Sequence, residues 1–90
     1  MDRKYLVYLA NAKLNATEYK IILLLLTGAY TATQVSSELK IMEQNKARHF
    51  KKLKGMGLIE VDDIEGRNKY YRAVTDMRKL VEVMPGQIKI

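Results

Sequence analysis

RHFKKLKGMGLIEVDDIEGRNKYYRAVT, residues 48–75, changes its apolar period partway along. Before Gly57 the spacing is helical, with Phe50, Leu53 and Gly57 on one side and Met42 nearby. Gly57 is a residue that ends helices. After it the period becomes two. LIEVD (58–62) alternates, so that Ile59 and Val61 can face a core. DIEGRN (63–68) reads as a polar turn region around Gly66, and KYYRAV (69–74) as a second strand. The stretch therefore predicts a helix, a glycine stop and a β-hairpin with a longer, polar loop.

The helix end of this stretch is strongly charged. KARHFKKLK (46–54) carries five basic residues, one His and no acid. At 3.6 residues per turn, Gln44, Arg48, Lys51 and Lys52 fall opposite Phe50 and Leu53, so the charge is one-sided. Such a run is either a solvated face or a surface that meets phosphates, and its place before a hairpin favours the second.

Upstream, two helix starts follow each other. In LNATEY (14–19), Asn15 is the N-cap, Glu18 stands at the third helical position as a capping box, and Leu14 and Tyr19 are placed as a hydrophobic staple. That helix runs through IILLLL and stops near Thr27, with Gly28 as its left-handed end. Being apolar on most sides, it is expected at the buried centre. YTATQV (30–35) repeats the device with Thr31, Gln34, Tyr30 and Val35, and its helix ends near Lys40. Residues 4–13 fit a helical stripe and an alternating one, with a short helix preferred. Downstream, Thr75-Asp76 caps a last helix. Met77, Leu80, Val81 and Met84 form its apolar stripe, Pro85-Gly86 ends it and 87–90 are a tail.

The order is helix, helix, basic helix, hairpin, helix. It resembles a winged helix-turn-helix domain. Leu53 to Ile59, Gly66-Arg67 and Tyr70-Tyr71 are similar to the recognition-helix end and wing of the MarR and ArsR families of bacterial regulators. The resemblance covers about 14–75. It implies an α+β fold, a three-helix core with a two-stranded hairpin wing and flanking terminal helices, and double-stranded DNA as partner. One domain is expected over 1–90, with 14–75 as core, 1–13 as an N-terminal segment and 76–90 as a C-terminal helix and tail. Two positions depart from the family pattern. Lys46 stands where an apolar residue usually pins the recognition helix, and Met42-Glu43 stands where a Ser or Thr cap is common. Lys46 either carries its ammonium to the edge of the core, or the helix begins later with Asn45 as its cap.

Side-chain chemistry divides the expected DNA contacts. Gln44, Asn45 and Arg48 lie near the helix start, where base edges are reached. Arg suits guanine, and Asn or Gln suits adenine. Lys51 and Lys52 suit phosphates. At the wing, Arg67, Asn68 and Lys69 are candidates, Arg67 for a narrow minor groove. Thr33, at the start of the second helix, is a candidate phosphate contact beside its capping neighbours. Arg72 is free to lie over Tyr70.

Composition bounds the alternatives. A net charge of +6 favours polyanionic partners. There is no Cys, so no disulfide or thiolate metal site. A lone His49, expected at the border of core or surface, makes no metal site, and no cofactor is expected. No Walker or dinucleotide loop, nucleophile elbow or catalytic carboxylate pair stands out, so an enzyme is not expected. IILLLL is too short to span a bilayer, and the N-terminus lacks the features of a signal peptide. The expectation is a cytoplasmic, sequence-specific regulator of transcription. A plasmid or phage accessory protein at an origin of transfer, replication or partition is the alternative, and a winged helix that docks on protein is another. The last helix and N-terminal segment are the candidate surface for a homodimer. A monomer, or a dimer formed only on DNA, stands beside it because no long helix like those of MarR proteins is present.

Overall fold

The computed structural model describes residues 2–83. Five helices and three strands follow in the order α1 (Arg3–Ala10), α2 (Ala16–Leu25), β1 (Tyr30–Thr31), α3 (Ala32–Leu39), α4 (Glu43–Gly55), β2 (Ile59–Glu65), β3 (Asn68–Ala73) and α5 (Met77–Val83). Met84, the end of the last stripe, and Pro85-Gly86 lie outside the described residues.

The local signals act as their chemistry dictates. Both capping boxes close. Asn15 Oδ1 accepts from the Glu18 N–H at 2.9 Å while Glu18 Oε1 accepts from the Asn15 N–H at 3.0 Å. Thr31 and Gln34 reciprocate in the same way at α3. Two orphan donors are thereby satisfied at each start. At α5, Asp76 Oδ1 accepts from the Arg78 N–H. Gly57 terminates α4 at φ 76°. The Leu58 N–H reaches the Leu53 carbonyl and the Gly57 N–H reaches that of Lys54, each at 3.0 Å, which completes a Schellman motif.

Three details differ from expectation. Gly28 is not left-handed, because α2 stops in a right-handed turn at Leu26 that needs no glycine. The left-handed residue in this part of the chain is Lys40, at φ 56°, where the Ile41 N–H bonds the Ser36 carbonyl to end α3. The polar loop over 63–68 shrinks to the two residues Gly66 and Arg67, since the strands continue to the pair Glu65 and Asn68. Positive φ at Gly66 alone matches a type II′ hairpin turn. The sheet also has a third strand. β1 pairs with β3, Tyr30 opposite Tyr71 and Thr31 opposite Tyr70, giving the order β1-β3-β2. Two residues placed just before a helix cap carry too little pattern to announce a strand.

The core lies between the helices and one face of this sheet. Tyr5 and Leu9 of α1, Ile21, Ile22 and Leu25 of α2, and Val35 of α3 are buried. So are Phe50 and Leu53 of α4, Leu58, Ile59, Ala73, Val74 and Leu80. Phe50 meets Tyr71 with ring centroids 5.1 Å apart and planes tilted by 59°, which seats α4 on β3. Tyr19 donates its hydroxyl to the Ala12 carbonyl at 2.6 Å and fastens the end of α1 to α2. α2 is central but not buried all round, because Leu23 points to solvent.

Candidate nucleic-acid interface

α3 and α4 form the helix-turn-helix, and β2 with β3 forms the wing beside it. α4 is thirteen residues long and buries only His49, Phe50 and Leu53. Its other side presents Gln44, Ala47, Arg48 and Lys51 to solvent. Asn45 is half-buried, and its Oδ1 accepts from an Arg48 guanidinium N–H at 3.4 Å. Among the described residues no carboxylate pairs with Arg48 or Lys51.

The helix starts at Glu43, not later. Met42 is its N-cap, is exposed and makes no side-chain cap bond, so Met42 does not join Phe50 on the core side. Lys46 carries its ammonium to the edge of the core. Its Nζ donates to Glu43 Oε1 at 2.7 Å and to Thr33 Oγ1 on α3 at 3.3 Å. The acid nearest the front of α4 is thus held by a lysine of the same helix, and Thr33 is tied to α4.

Lys52 departs from the one-sided reading. Its side chain is half-exposed, but Nζ donates at 2.8 Å to Glu18 Oε1 on α2. The other oxygen of Glu18 lies 3.1 Å from His49 Nδ1. Burial raises the carboxyl's pKa, but donors from Lys52, the Asn15 N–H and His49 outweigh it and leave it below the ordinary value. The group is ionised at neutral pH and can only accept, so His49 Nδ1 carries the hydrogen. Sequence reasoning missed this cluster, having given Glu18 a local capping job. The available signal was His49 itself. Lys46, His49, Phe50 and Leu53 share one stripe at i, i+3, i+4 and i+7, and a polar group on a core-facing stripe needs a partner.

The wing sorts its charges by register. Residues directly opposite in an antiparallel ladder point to the same face. Ile59 and Val61 of β2, with Ala73 and Tyr71 of β3, face the core. Regular alternation would put Asp63 and Glu65 on that inner face too. The register instead shifts between Val61 and Asp63. The extra residue turns Asp63 and Glu65 to the other face with Tyr70 and Asn68, and puts Ile64, itself exposed, on the face of its partner Lys69. Lys69 therefore stands away from the wing's acids. Arg67 occupies the turn, and both are exposed with no carboxylate paired to them among the described residues. Asn68 is exposed on the acidic face. Arg72 does not lie over Tyr70. It pairs with Glu60 at 2.9 Å and Asp62 at 3.4 Å.

Among the described residues no three His, Cys, Asp or Glu come together to hold a metal ion, and no helix is long and apolar enough to cross a membrane.

The sequence pattern described as "Bacterial regulatory protein, arsR family" matches residues 6–61. No curated protein matches the chain. Solved structures share the fold. One is the homodimeric winged helix-turn-helix DNA-binding domain Mb0332 of Mycobacterium bovis, a possible ArsR-family transcriptional regulator. It is 21% identical with a TM-score of 0.64, over 99% of this chain and 85% of that one. A zinc-responsive MarR family member, Lactococcus lactis ZitR, is 20% identical with a TM-score of 0.68, over 88% of this chain and 56% of its own. The adhesin competence repressor AdcR of Streptococcus pyogenes is 20% identical with a TM-score of 0.64, over 93% and 65%. The chain thus spans little more than half the length of ZitR.

Proposed function

The chain belongs to the arsR family of bacterial regulatory proteins, and from that premise we propose that it binds double-stranded DNA sequence-specifically, as a small cytoplasmic regulator of transcription. The observation that carries this reading is the outer face of α4. Gln44, Arg48 and Lys51 stand there, and the adjacent Glu43 is held by Lys46. A recognition helix needs this arrangement, with donors toward base edges near its start and cations toward phosphates a turn later. Arg48 reads a guanine, Gln44 and Asn45 read neighbouring bases, and Lys51 holds a phosphate. Arg67 and Lys69 of the wing take a second stretch of backbone or minor groove. Thr33 orients Lys46, and a phosphate that draws Lys46 away gains Thr33 as well. Mb0332 is a homodimer, and a two-fold dimer of this chain would read inverted half-sites about one helical turn apart.

Selection from a random duplex library at moderate salt tests the reading. An enriched motif is expected, with inverted halves if the protein dimerises. Retention without a motif would replace it with a shape-reading or architectural role, and no retention would leave a protein-docking module.

A further inference from the structure

α4 is seated with few apolar contacts for a helix that must hold a fixed angle. Of the stripe that faces the protein, Phe50 and Leu53 are apolar, but Lys46 and His49 are not. Each polar member meets a polar partner on a different neighbouring helix. Lys46 reaches Thr33 on α3, and His49 reaches Glu18 on α2 at 3.1 Å. Lys52, one turn on, reaches the same carboxylate at 2.8 Å. Glu18 and His49 are both buried, at 2% and 6% exposure. Such a pair has strict geometry and is costly to leave half made, because an unpaired buried acceptor loses its water with nothing in return. Apolar packing tolerates sliding and rotation far better than three donors on one carboxylate do. Glu18 is itself pinned, since Oε1 closes the cap of α2 by accepting from the Asn15 N–H.

We propose that Glu18 is the positioning residue of the DNA-reading surface: through His49 and Lys52 it fixes the rotation and depth of α4 against α2. The inference rests on the DNA-binding reading for its consequence and on the cluster's geometry for its cause. Glu18 touches no base or phosphate. It sets where Gln44, Arg48 and Lys51, on the opposite side of the same helix, are delivered. A helix free to roll about its axis keeps its charge but loses the alignment that bidentate base contacts need. Loosening the clasp should therefore cost discrimination between sequences and spare nonspecific, charge-driven binding.

The test compares His49→Leu, which keeps bulk but removes the donor, with His49→Asn, which keeps a donor near Nδ1. Glu18→Met, which keeps length but removes every acceptor facing His49 and Lys52, serves as an independent variant should His49→Leu not fold. Each is assayed well below its melting temperature, on the most enriched library duplex and on a scrambled duplex of equal composition. In folded His49→Leu and Glu18→Met the affinity ratio between the two duplexes is expected to fall by about tenfold, the scale of one lost base contact. His49→Asn is expected to retain the ratio. An unchanged ratio in the folded variants would overturn the proposal, because a purely structural residue affects both duplexes only through the folded fraction. Hydrogen exchange in the free protein gives a second reading that does not depend on DNA. Amides of α4 should exchange faster in His49→Leu with those of α2 and the sheet unchanged, and equal protection of α4 would contradict the clasp. If the wild type itself prefers no duplex, the DNA reading fails while the exchange result still decides the clasp.

Discussion

Glu18 Oε2 of α2 and His49 Nδ1 of α4 lie 3.1 Å apart in the interior, thirty-one residues apart in sequence, and the same carboxylate caps its own helix. One side chain therefore carries a local role and a tertiary one. Glu18→Ala removes both, leaving the His49 N–H unpaired and the α2 cap half open. The expected loss is about 2–4 kcal/mol, from one unsatisfied buried donor plus a weakened cap. Urea denaturation measures it, and a loss below about 1 kcal/mol would mean that water or a rotated His49 replaces the carboxylate.

The same carboxylate gives a pH signature. Its folded pKa is lowered from 4.5, so its charge stabilises the native state above 4.5, and this stability is lost as pH falls through the folded value. The melting temperature of the wild type should exceed that of Glu18→Gln at neutral pH, and the gap should close below pH 4.5. Thermal melts from pH 7 to pH 3 check the sign. A gap that widens toward acid would contradict an ionised Glu18.

Two of the three left-handed positions among the described residues differ in residue type, and that difference is testable. Lys40 adopts φ 56° with a Cβ, whereas Gly66 adopts φ 60° without one. The left-handed region costs an ordinary residue roughly 1–2 kcal/mol, partly offset for glycine by its larger unfolded-state entropy. Lys40→Gly should raise stability by about 0.5–1 kcal/mol, and Gly66→Ala should lower it by about 1–2 kcal/mol. Melting temperatures of the two variants should move in opposite directions.

On DNA, Arg48→Ala and Lys51→Ala should fail differently. Losing a bidentate base contact costs about 1–3 kcal/mol and relaxes preference at one position of the site. Losing a phosphate contact weakens all duplexes evenly and flattens the salt dependence by about 0.9 in log K per log salt. Binding titrations on single-base variants of the selected site distinguish the two patterns. Identical, sequence-independent losses would remove the division of roles along α4.

What the sequence made legible was what neighbours decide. Both capping boxes, the Gly57 stop, the helix order and the strand period rest on residues within one turn or one ladder step of each other. The shortened wing loop, the β1 strand, the bulge at Asp62 and the Glu18 cluster rest on pairing across the chain. The bulge is the clearest case. DDIE reads as an acidic stretch that would spoil a DNA-facing wing, and only the register with β3 shows Asp63 and Glu65 turned away from Lys69. The partner of Lys52 was hidden for a related reason. At about 100° per residue this lysine borders both faces of α4, and a buried acid on another helix decided which way it turned.

The salt dependence of duplex binding tests the central claim most directly. Arg48, Lys51, Arg67 and Lys69 are exposed without an acidic partner among the described residues. If each neutralises one phosphate, log K should fall against log salt with a slope of roughly −3 to −4 per protomer. Such a slope, shrinking by about 0.9 in Lys51→Ala, is the predicted result. Binding that is flat with salt, or absent at low salt, would contradict a surface built for nucleic acid.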